Sequence, residues 1–338
     1  MMKITHTDKR LEQSDTKYCR VSCTQKKQAP SHQLVEQADG TRELRMKCSA
    51  TKEMTERKFR TFARQIVRTA ISHNLTHVAL APATLPAVAG RDAAWHAATL
   101  AENAALAAYE FTAYRKKREL KQPLRELRVC ELSRKSERDA VARACTVAEY
   151  VNVARDIANT PGEDMTPSKL AARAQALGKR SGVKVTVHDH AAIKKLKMGL
   201  LDAVGRGAAD KPRFIVMEYY GAGKPTGKGK PPKAKQPLVL IGKGITYDTG
   251  GLNVKPTGAM HDMHLDMSGG AAVIASICCA AKLKQKRNVI ALIPAAENSV
   301  SERSMRAGDI FTSLSGRNVE VLHTDAEGRL VLADALTY

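Results

Sequence analysis

The spacing of hydrophobic and polar positions divides the chain into two runs of secondary structure. Residues 1–50 are polar and show no regular period. After them, the pattern predicts helices over Glu56–Ser72, Asp92–Tyr114 and Lys135–Ala158, with strands over Thr76–Ala81 and Leu127–Leu132 between them.

A stronger run follows the break signal Asn159-Thr160-Pro161. Thr166 and Pro167 are typical of an N-cap and a first helical position, and they begin a helix that the pattern extends to Ser181. Strands and helices that alternate along the chain indicate a mostly parallel sheet covered on both faces. The remaining predicted elements are strands over Val183–Val187, Arg213–Tyr219, Pro237–Ile241, Asn288–Ile293 and Val319–Leu322, and helices over Ala191–Lys197 and Ser268–Leu283.

Length and composition set the scale of the fold. The chain has 338 residues, of which 43% are hydrophobic, and this is enough for about two domains with buried cores. We therefore predict an α/β protein with a smaller N-terminal domain over 1–134, a connecting helix over 135–160 and a larger domain over 161–338. No apolar run approaches the length of a membrane span, and the first 20 residues lack the apolar segment of a signal peptide. We expect a cytoplasmic protein without a membrane partner, and seven free cysteine thiols.

The net charge of +21 introduces a second functional class. Such an excess of basic residues can indicate a nucleic-acid-binding protein. However, the basic block Tyr114–Arg143 is interleaved with glutamates, and the segment 221–235, with five lysines and no acid, is typical of a flexible surface loop. Aromatic residues amount to only 4%, so the chain lacks stacking platforms for single strands. Nonspecific electrostatic attraction therefore explains the charge better than sequence recognition does.

Candidate chemistry begins directly after the predicted strand Pro237–Ile241. Ligands in open α/β sheets bind just beyond the carboxyl ends of strands, which is where Lys243 and Asp248 lie. Lys255 and Asp266 follow in the same glycine-rich segment, before the predicted helix at Ser268.

A second group of acids follows the predicted strand Val319–Leu322. Asp325 and Glu327 would point the same way if the chain were locally extended. Carboxylates that meet at one sheet edge repel one another, and a pair of divalent cations would relieve the repulsion. Lys243 could bind such a cation only if it were deprotonated, whereas Lys255 and Arg329 would stay cationic and stabilise an oxyanion. His261 and His264 lack the accompanying acid-His pattern of a histidine metal site.

The same segments resemble a known family. GKGITYDTGG, KPTGAMHDMHLDMSGGAAV and TDAEGRLVLADAL are similar to motifs of the two-metal leucyl (cytosol) aminopeptidases. Further similarity lies in AENAALAAYEFTAYR, NTPGEDMTP and AAENSVSERSMRAGDI, so that the resemblance covers about residues 56–338 and leaves 1–50 poorly matched. It implies a macro-like N-terminal α/β domain and a metallopeptidase domain that releases N-terminal, leucine-like residues from peptides.

The resemblance also implies a role for each matching residue. Asp248 and Glu327 would bridge two ions, which could be Zn, Mn or Mg. A water molecule between the ions would attack the peptide bond, and one ion would hold the free α-amino group of the substrate. The other roles would be metal ligation by Lys243, Asp266 and Asp325, polarisation of the carbonyl by Lys255, binding of a bicarbonate by Arg329, and contact with the first substrate side chain by Met263.

The chain also departs from the family pattern. His323 replaces a usual asparagine, and Ser299–Glu302 replaces a usual proline-containing stretch. Family members extend well beyond the position that corresponds to Tyr338, so we expect an incomplete catalytic domain. The resemblance implies a hexamer. The sequence therefore leaves three hypotheses: an active aminopeptidase, a weak or inactive fragment of one, and a basic nucleic-acid-binding protein.

Overall fold

The structure is a computed structural model that describes residues 2–10, 15–26, 28–116, 124–225 and 232–338. It divides into two compact units, Met1–Asn152 and Val153–Tyr338. The boundary falls inside helix α3 (Lys135–Asn159), within the segment that the sequence predicts to connect the domains. Residues 117–123 of the first basic block and 226–231 of the lysine-rich segment lie outside the described residues.

The first unit is an α/β layer with a six-stranded sheet in the order β1-β6-β5-β2-β4-β3. All its pairings are parallel except that of β4 with β3. The predicted irregularity of residues 1–50 is wrong, because four strands lie there. These strands are short and only partly buried. Their apolar and polar positions therefore alternate too weakly to be recognised in the sequence. The elements are β1 (Lys3–His6), β2 (Cys19–Thr24), β3 (His32–Glu36), β4 (Arg42–Lys47), α1 (Glu56–Ser72), β5 (His77–Leu80), α2 (Ala93–Ala107) and β6 (Glu126–Val129).

Local sequence explains the helices of this unit. The predicted bounds of α1 are confirmed: the hydroxyl of Thr55 accepts a hydrogen bond from the backbone N–H of Lys58, and the buried Phe59, Phe62 and Ile66 form one apolar stripe. Helix α2 begins after the N-cap Asp92 as predicted, but it ends at Ala107 rather than at Tyr114. The aromatic and β-branched residues that follow favour the helix less than the alanine-rich segment does.

The second unit has a sheet in the order β10-β11-β8-β7, with β9 also paired to β11. The predicted α/β class is confirmed. The sheet is mixed, however, since β9 and β10 run parallel to β11 whereas β8 is antiparallel to both β11 and β7. The elements are α4 (Pro167–Ser181), β7 (Lys184–His188), α5 (His190–Lys195), α6 (Gly199–Gly205), β8 (Arg213–Tyr220), β9 (Leu238–Ile241), β10 (Gly244–Asp248), α7 (Ser268–Lys282), β11 (Asn288–Asn298), β12 (Ile310–Thr312), β13 (Asn318–Glu320) and α8 (Glu327–Thr337).

Strand β11 is the central strand of this sheet, and it is five residues longer than predicted. Its first half pairs with β9 up to Leu292, and its second half pairs with β10 from Ala295 onward. Pro294 lies between these two pairings. No ladder hydrogen bond to β9 or β10 is interrupted there, so a proline without an N–H is tolerated in this central strand. Two consecutive short strands therefore share one edge of β11, and β10 delivers its last residue, Asp248, opposite Asn298.

Helix α8 is fixed by a buried carboxylate. Asp334 is fully buried and accepts hydrogen bonds from the backbone N–H groups of Leu200 and Leu201 at 2.9 and 3.0 Å, and of Leu314 at 2.8 Å. These bonds satisfy two N–H groups in the first turn of α6 that have no partner within that helix. The C-terminal half of α8 is thereby held against the core of the unit.

The stretch Met263–Lys282 meets the length and composition criteria for crossing a membrane, alone among the described residues. It consists of a 3-10 turn, Met263–Met267, followed by α7. Ile274, Ile277 and Cys278 of α7 are buried, and the helix packs against β11. Its apolar composition is therefore that of a helix that covers a sheet. Among the described residues, none of the seven cysteines forms a disulfide bond.

Candidate metal centre

Three carboxylates converge beyond the carboxyl end of β10. Ligand oxygens of Asp248, Asp325 and Glu327 all lie within 4.8 Å of one another. Asp248 is 2% exposed and Glu327 is 1% exposed, so water screens their mutual repulsion poorly. Such a group requires nearby positive charge.

The chain delivers these acids differently from the sequence prediction. Asp248 ends β10, as the rule for parallel strands requires. The predicted strand Val319–Leu322 is wrong in extent and location, because β13 covers Asn318–Glu320 and pairs with β12 in a separate two-stranded sheet. The predicted extended alternation of Asp325 and Glu327 is also wrong. Asp325 lies in a 3-10 turn and Glu327 begins α8, so a helix start brings the two together.

Two lysines supply the positive charge. Lys243 Nζ lies 2.7 Å from Asp266 Oδ2 and 2.6 Å from Glu327 Oε1. Lys255 Nζ lies 2.9 Å from Asp248 Oδ2 and also contacts Asp325 Oδ1. Four carboxylates surround two ammonium groups, which leaves an excess of two negative charges in the cluster.

The pKa values follow from this competition between burial and charge. Burial lowers the pKa of Lys243, but the hydrogen bonds to Asp266 and Glu327 outweigh it and hold that pKa above its usual value. The same balance, through Asp325 and Asp248, raises the pKa of Lys255 well above its usual value. Burial raises the pKa of Asp248, but hydrogen bonds from Lys255 and two further donors outweigh burial, and the pKa is lowered. For Asp266, burial prevails over Lys243 and the pKa is raised.

An unpaired oxygen tests whether this cluster suits a cation. Glu327 Oε2 is buried and has no hydrogen-bond partner among the described residues, whereas Asp266 Oδ2 and Asp325 Oδ1 each contact a lysine ammonium group. A Cβ at Gly328 would lie 2.8 Å from Lys243 Cε, so a larger residue there would shift the end of that lysine side chain. Carboxylate oxygens with one amine are a donor set that Mg²⁺, Mn²⁺ and Zn²⁺ accept. The residues present therefore fit divalent cations.

A hydrogen-bonded support lies behind the acids. The side-chain amide of Asn298 donates to Asp248 Oδ1 at 2.8 Å and to the carbonyl oxygen of Thr324 at 3.1 Å. Thr324 also exchanges hydrogen bonds with Asn253 and donates to the carbonyl of Gly250. The sequence did not predict this support; the signal it offered was the similarity of AAENSVSERSMRAGDI, which contains Asn298, to the family.

Other predicted site residues lie beside the cluster without a contact to its acids. Arg329 is exposed in the first turn of α8 and forms no ion pair among the described residues. Met263 is half-buried and begins the 3-10 turn that carries Asp266. His261 and His264 do not belong to the group of converging ligand oxygens found among the described residues.

The departure from the family motif at position 323 has a local role. The imidazole of His323 accepts a hydrogen bond from the backbone N–H of Asp325 at 3.2 Å and so caps the turn that carries this acid. Asparagine is a usual capping residue as well, so the replacement keeps the capping interaction.

Comparison with known sequences places these features in a family. The profile described as cytosol aminopeptidase family, catalytic domain, matches residues 152–338, and the profile of the N-terminal domain of the same family matches residues 49–118. A probable cytosol aminopeptidase of Herminiimonas arsenicoxydans is 39% identical over 84% of this chain and 55% of its own length. One from Methylibium petroleiphilum is 46% identical over 60% of this chain and 40% of its own length. The chain spans about half the length of the curated relatives it matches.

Solved structures agree. The bottromycin maturation enzyme BotP in complex with Mn has a TM-score of 0.80 and 32% identity, covering 94% of this chain and 68% of that protein. A variant of tomato leucine aminopeptidase has a TM-score of 0.81 at 24% identity, covering 100% of this chain and 71% of its own, which is evidence for the fold alone.

Proposed function

Because the chain belongs to the cytosol aminopeptidase family, we propose that it is a metal-dependent aminopeptidase that releases N-terminal residues, leucine-like ones preferentially, from peptides. The observation that carries the proposal is the partly buried cluster of four carboxylates and two lysines, which has the donor set of a metal centre with the ammonium group of Lys255 beside it. The Mn complex of BotP supports manganese as one suitable metal.

The proposed ligands follow from the positions of the acids. Asp248 and Glu327 would contact both of two divalent cations, Lys243 and Asp266 would complete one site, and Asp325 the other. Cations held there would act as Lewis acids and would lower the pKa of a water molecule that attacks the scissile carbonyl.

The remaining roles belong to side chains of the chain itself. The raised pKa of Lys255 keeps its ammonium charged, so that it can orient the substrate carbonyl and stabilise the developing oxyanion. Arg329 is exposed and forms no ion pair within the described part of the chain, which leaves its guanidinium available for an anion such as bicarbonate. Met263, three residues before Asp266, would line the pocket for the first side chain of the peptide.

Two further features of the family are part of the proposal. Family resemblance favours a homo-hexamer, and the family name suits a cytoplasmic location. Neither feature is needed for the chemistry of the cluster.

The proposal is tested by hydrolysis of leucine anilide by the purified 338-residue chain with added Mn²⁺ or Zn²⁺. We expect metal-dependent release of the aniline that stops when a chelator is added. N-acetyl-leucine anilide is the matched control and should not react, because an aminopeptidase requires a free α-amino group. A folded, metal-loaded chain that hydrolyses neither compound would instead be an inactive fragment of such an enzyme.

We expect the affinity for Mn²⁺ to increase with pH. Contacts with two carboxylates raise the pKa of Lys243 above its usual value, so this amine is protonated near neutral pH and must lose its proton to bind a cation. Each released proton strengthens binding by about tenfold per pH unit. Titration with Mn²⁺ at several pH values should show this slope, together with proton release in weakly buffered solution. An unchanged proton release in Lys243→Met would exclude this lysine as a ligand.

A further inference from the structure

Asn298 connects two segments that carry proposed metal ligands. It is the last residue of β11 and is 1% exposed. Its amide nitrogen donates to Asp248 Oδ1, at the end of β10, and to the carbonyl of Thr324, in the turn that contains Asp325. These two segments are far apart along the chain, so local structure does not set the distance between Asp248 and the Thr324–Asp325 turn. The hydrogen bonds of Asn298 to both segments do set it.

The backbone of the same residue strengthens the connection. Its carbonyl oxygen accepts hydrogen bonds from the N–H and the hydroxyl of Thr249, at 3.0 and 2.8 Å, immediately after Asp248. A Cβ at Gly251 would lie 2.9 Å from Asn298 Oδ1, and Gly251 has a positive φ of 66°. Only glycine lets the chain cross the amide this closely. Asn298 is therefore enclosed by the loop that it supports.

The bond to Asp248 also determines which oxygen is presented to the cluster. Asp248 Oδ1 accepts from Asn298 and from the N–H of Gly250, at 2.8 and 2.9 Å. Oδ2 faces Lys255. Two donors on one oxygen fix the rotation of the carboxylate and leave the other oxygen directed at the cluster.

We propose that Asn298 is a positioning residue of the metal centre, which sets the orientation of Asp248 and the distance between it and the Thr324–Asp325 turn. The inference rests on the proposed function, since it concerns the same cluster. Partners that orient metal ligands typically change metal affinity by about 10–100-fold when they are removed.

The chain provides a matched control in Asn288, at the other end of β11. Asn288 is also fully buried, and its amide nitrogen also donates two hydrogen bonds, to the carbonyls of Gly223 and Lys235 at 3.0 and 2.8 Å. It is the same type of residue in the same strand, ten positions away, and it contacts no proposed ligand. Loss of its side chain should affect stability through the same physical cause without reaching the cluster.

The experiment compares Mn²⁺ affinity, measured by calorimetric titration below the unfolding temperature of each variant, in Asn298→Ala and Asn288→Ala. Both variants should unfold at lower temperature, and only Asn298→Ala should lose affinity, by about 10–100-fold. If Asn298→Ala does not fold, the pair Asn298→Ser and Asn288→Ser decides, because serine retains one donor.

Three results would contradict the positioning role of Asn298 or the proposed function. Equal affinity in the parent chain and the Asn298 variants would exclude the positioning role and leave the proposed function intact. Equal losses in the Asn298 and Asn288 variants would assign the effect to general destabilisation and would also exclude it. Absence of Mn²⁺ binding in the parent chain would contradict the proposed function itself.

Discussion

Replacement of Asp248 by alanine is expected to abolish the binding of divalent cations by this chain. The acid is 2% exposed, and its ligand oxygen lies within 4.8 Å of those of Asp325 and Glu327. Since Asp248 would contact both ions, its loss should exceed the roughly 100-fold effect of losing an outer partner. Equilibrium dialysis against Mn²⁺ followed by elemental analysis measures the effect.

A control must separate loss of a ligand from loss of a buried charge. Asp202 is buried in α6 and pairs with His190 at 2.6 Å and Arg206 at 2.8 Å, away from the proposed ligands. Asp202→Ala should therefore bind Mn²⁺ like the parent chain, although it leaves two partners unpaired. Normal metal content in Asp248→Ala would overturn the ligand assignment.

The part of the site that follows β9 was predictable from the sequence. Residues just beyond the end of a parallel strand lie at the ligand-binding edge, and Lys243 does follow β9 there, whereas Asp248 ends β10, a further strand that the sequence did not predict. The sequence likewise predicted the bounds of α1 and α4; Thr55 caps α1 with its side chain, whereas Thr166 precedes Pro167 of α4 without a side-chain capping hydrogen bond.

Asp325 and Glu327 do lie beside Asp248, but not through the extended chain that the sequence predicted. Alternation would bring Asp325 and Glu327 to one side of an extended chain, whereas in the structure a 3-10 turn leads directly into α8. The apolar residues before them indicated a strand of the main sheet, but Val319 belongs to the small β12-β13 pair, and Val321 and Leu322 lie after that strand ends. A short apolar run does not specify which sheet it joins.

The direction of one strand and the hydrogen bonds of Asn298 could not be predicted from local sequence patterns. The direction of β8 relative to β7 depends on the path of the chain through α5 and α6, which periodicity does not encode. Asn298 lies in the family-like segment AAENSVSERSMRAGDI, but its two hydrogen bonds become visible only when β10 and the Thr324 turn are brought together. The ligands were predictable as motifs, whereas their support depends on tertiary contacts.

Replacement of Lys255 by alanine is expected to remove most of the activity and to leave metal binding intact. Lys255 is held by Asp248 and Asp325, and its raised pKa keeps it charged where an oxyanion would form. Loss of one such preorganised donor typically lowers kcat by about 10²–10³. Cation affinity should stay equal or rise, because the substitution removes a positive charge from the cluster.

This separation of activity from affinity distinguishes the two lysines. Lys243→Ala should lose metal because it removes a proposed ligand, whereas Lys255→Ala should keep metal and lose kcat. Lys211 is the matched control: it is half-buried in the same unit, and among the described residues its ammonium donates to the carbonyls of Arg206 and Ala208 and to no carboxylate. Steady-state hydrolysis of leucine anilide and Mn²⁺ titration of the three variants give both quantities. Full activity in Lys255→Ala would exclude its role at the carbonyl, and loss of metal from that variant would make it a structural member of the cluster instead.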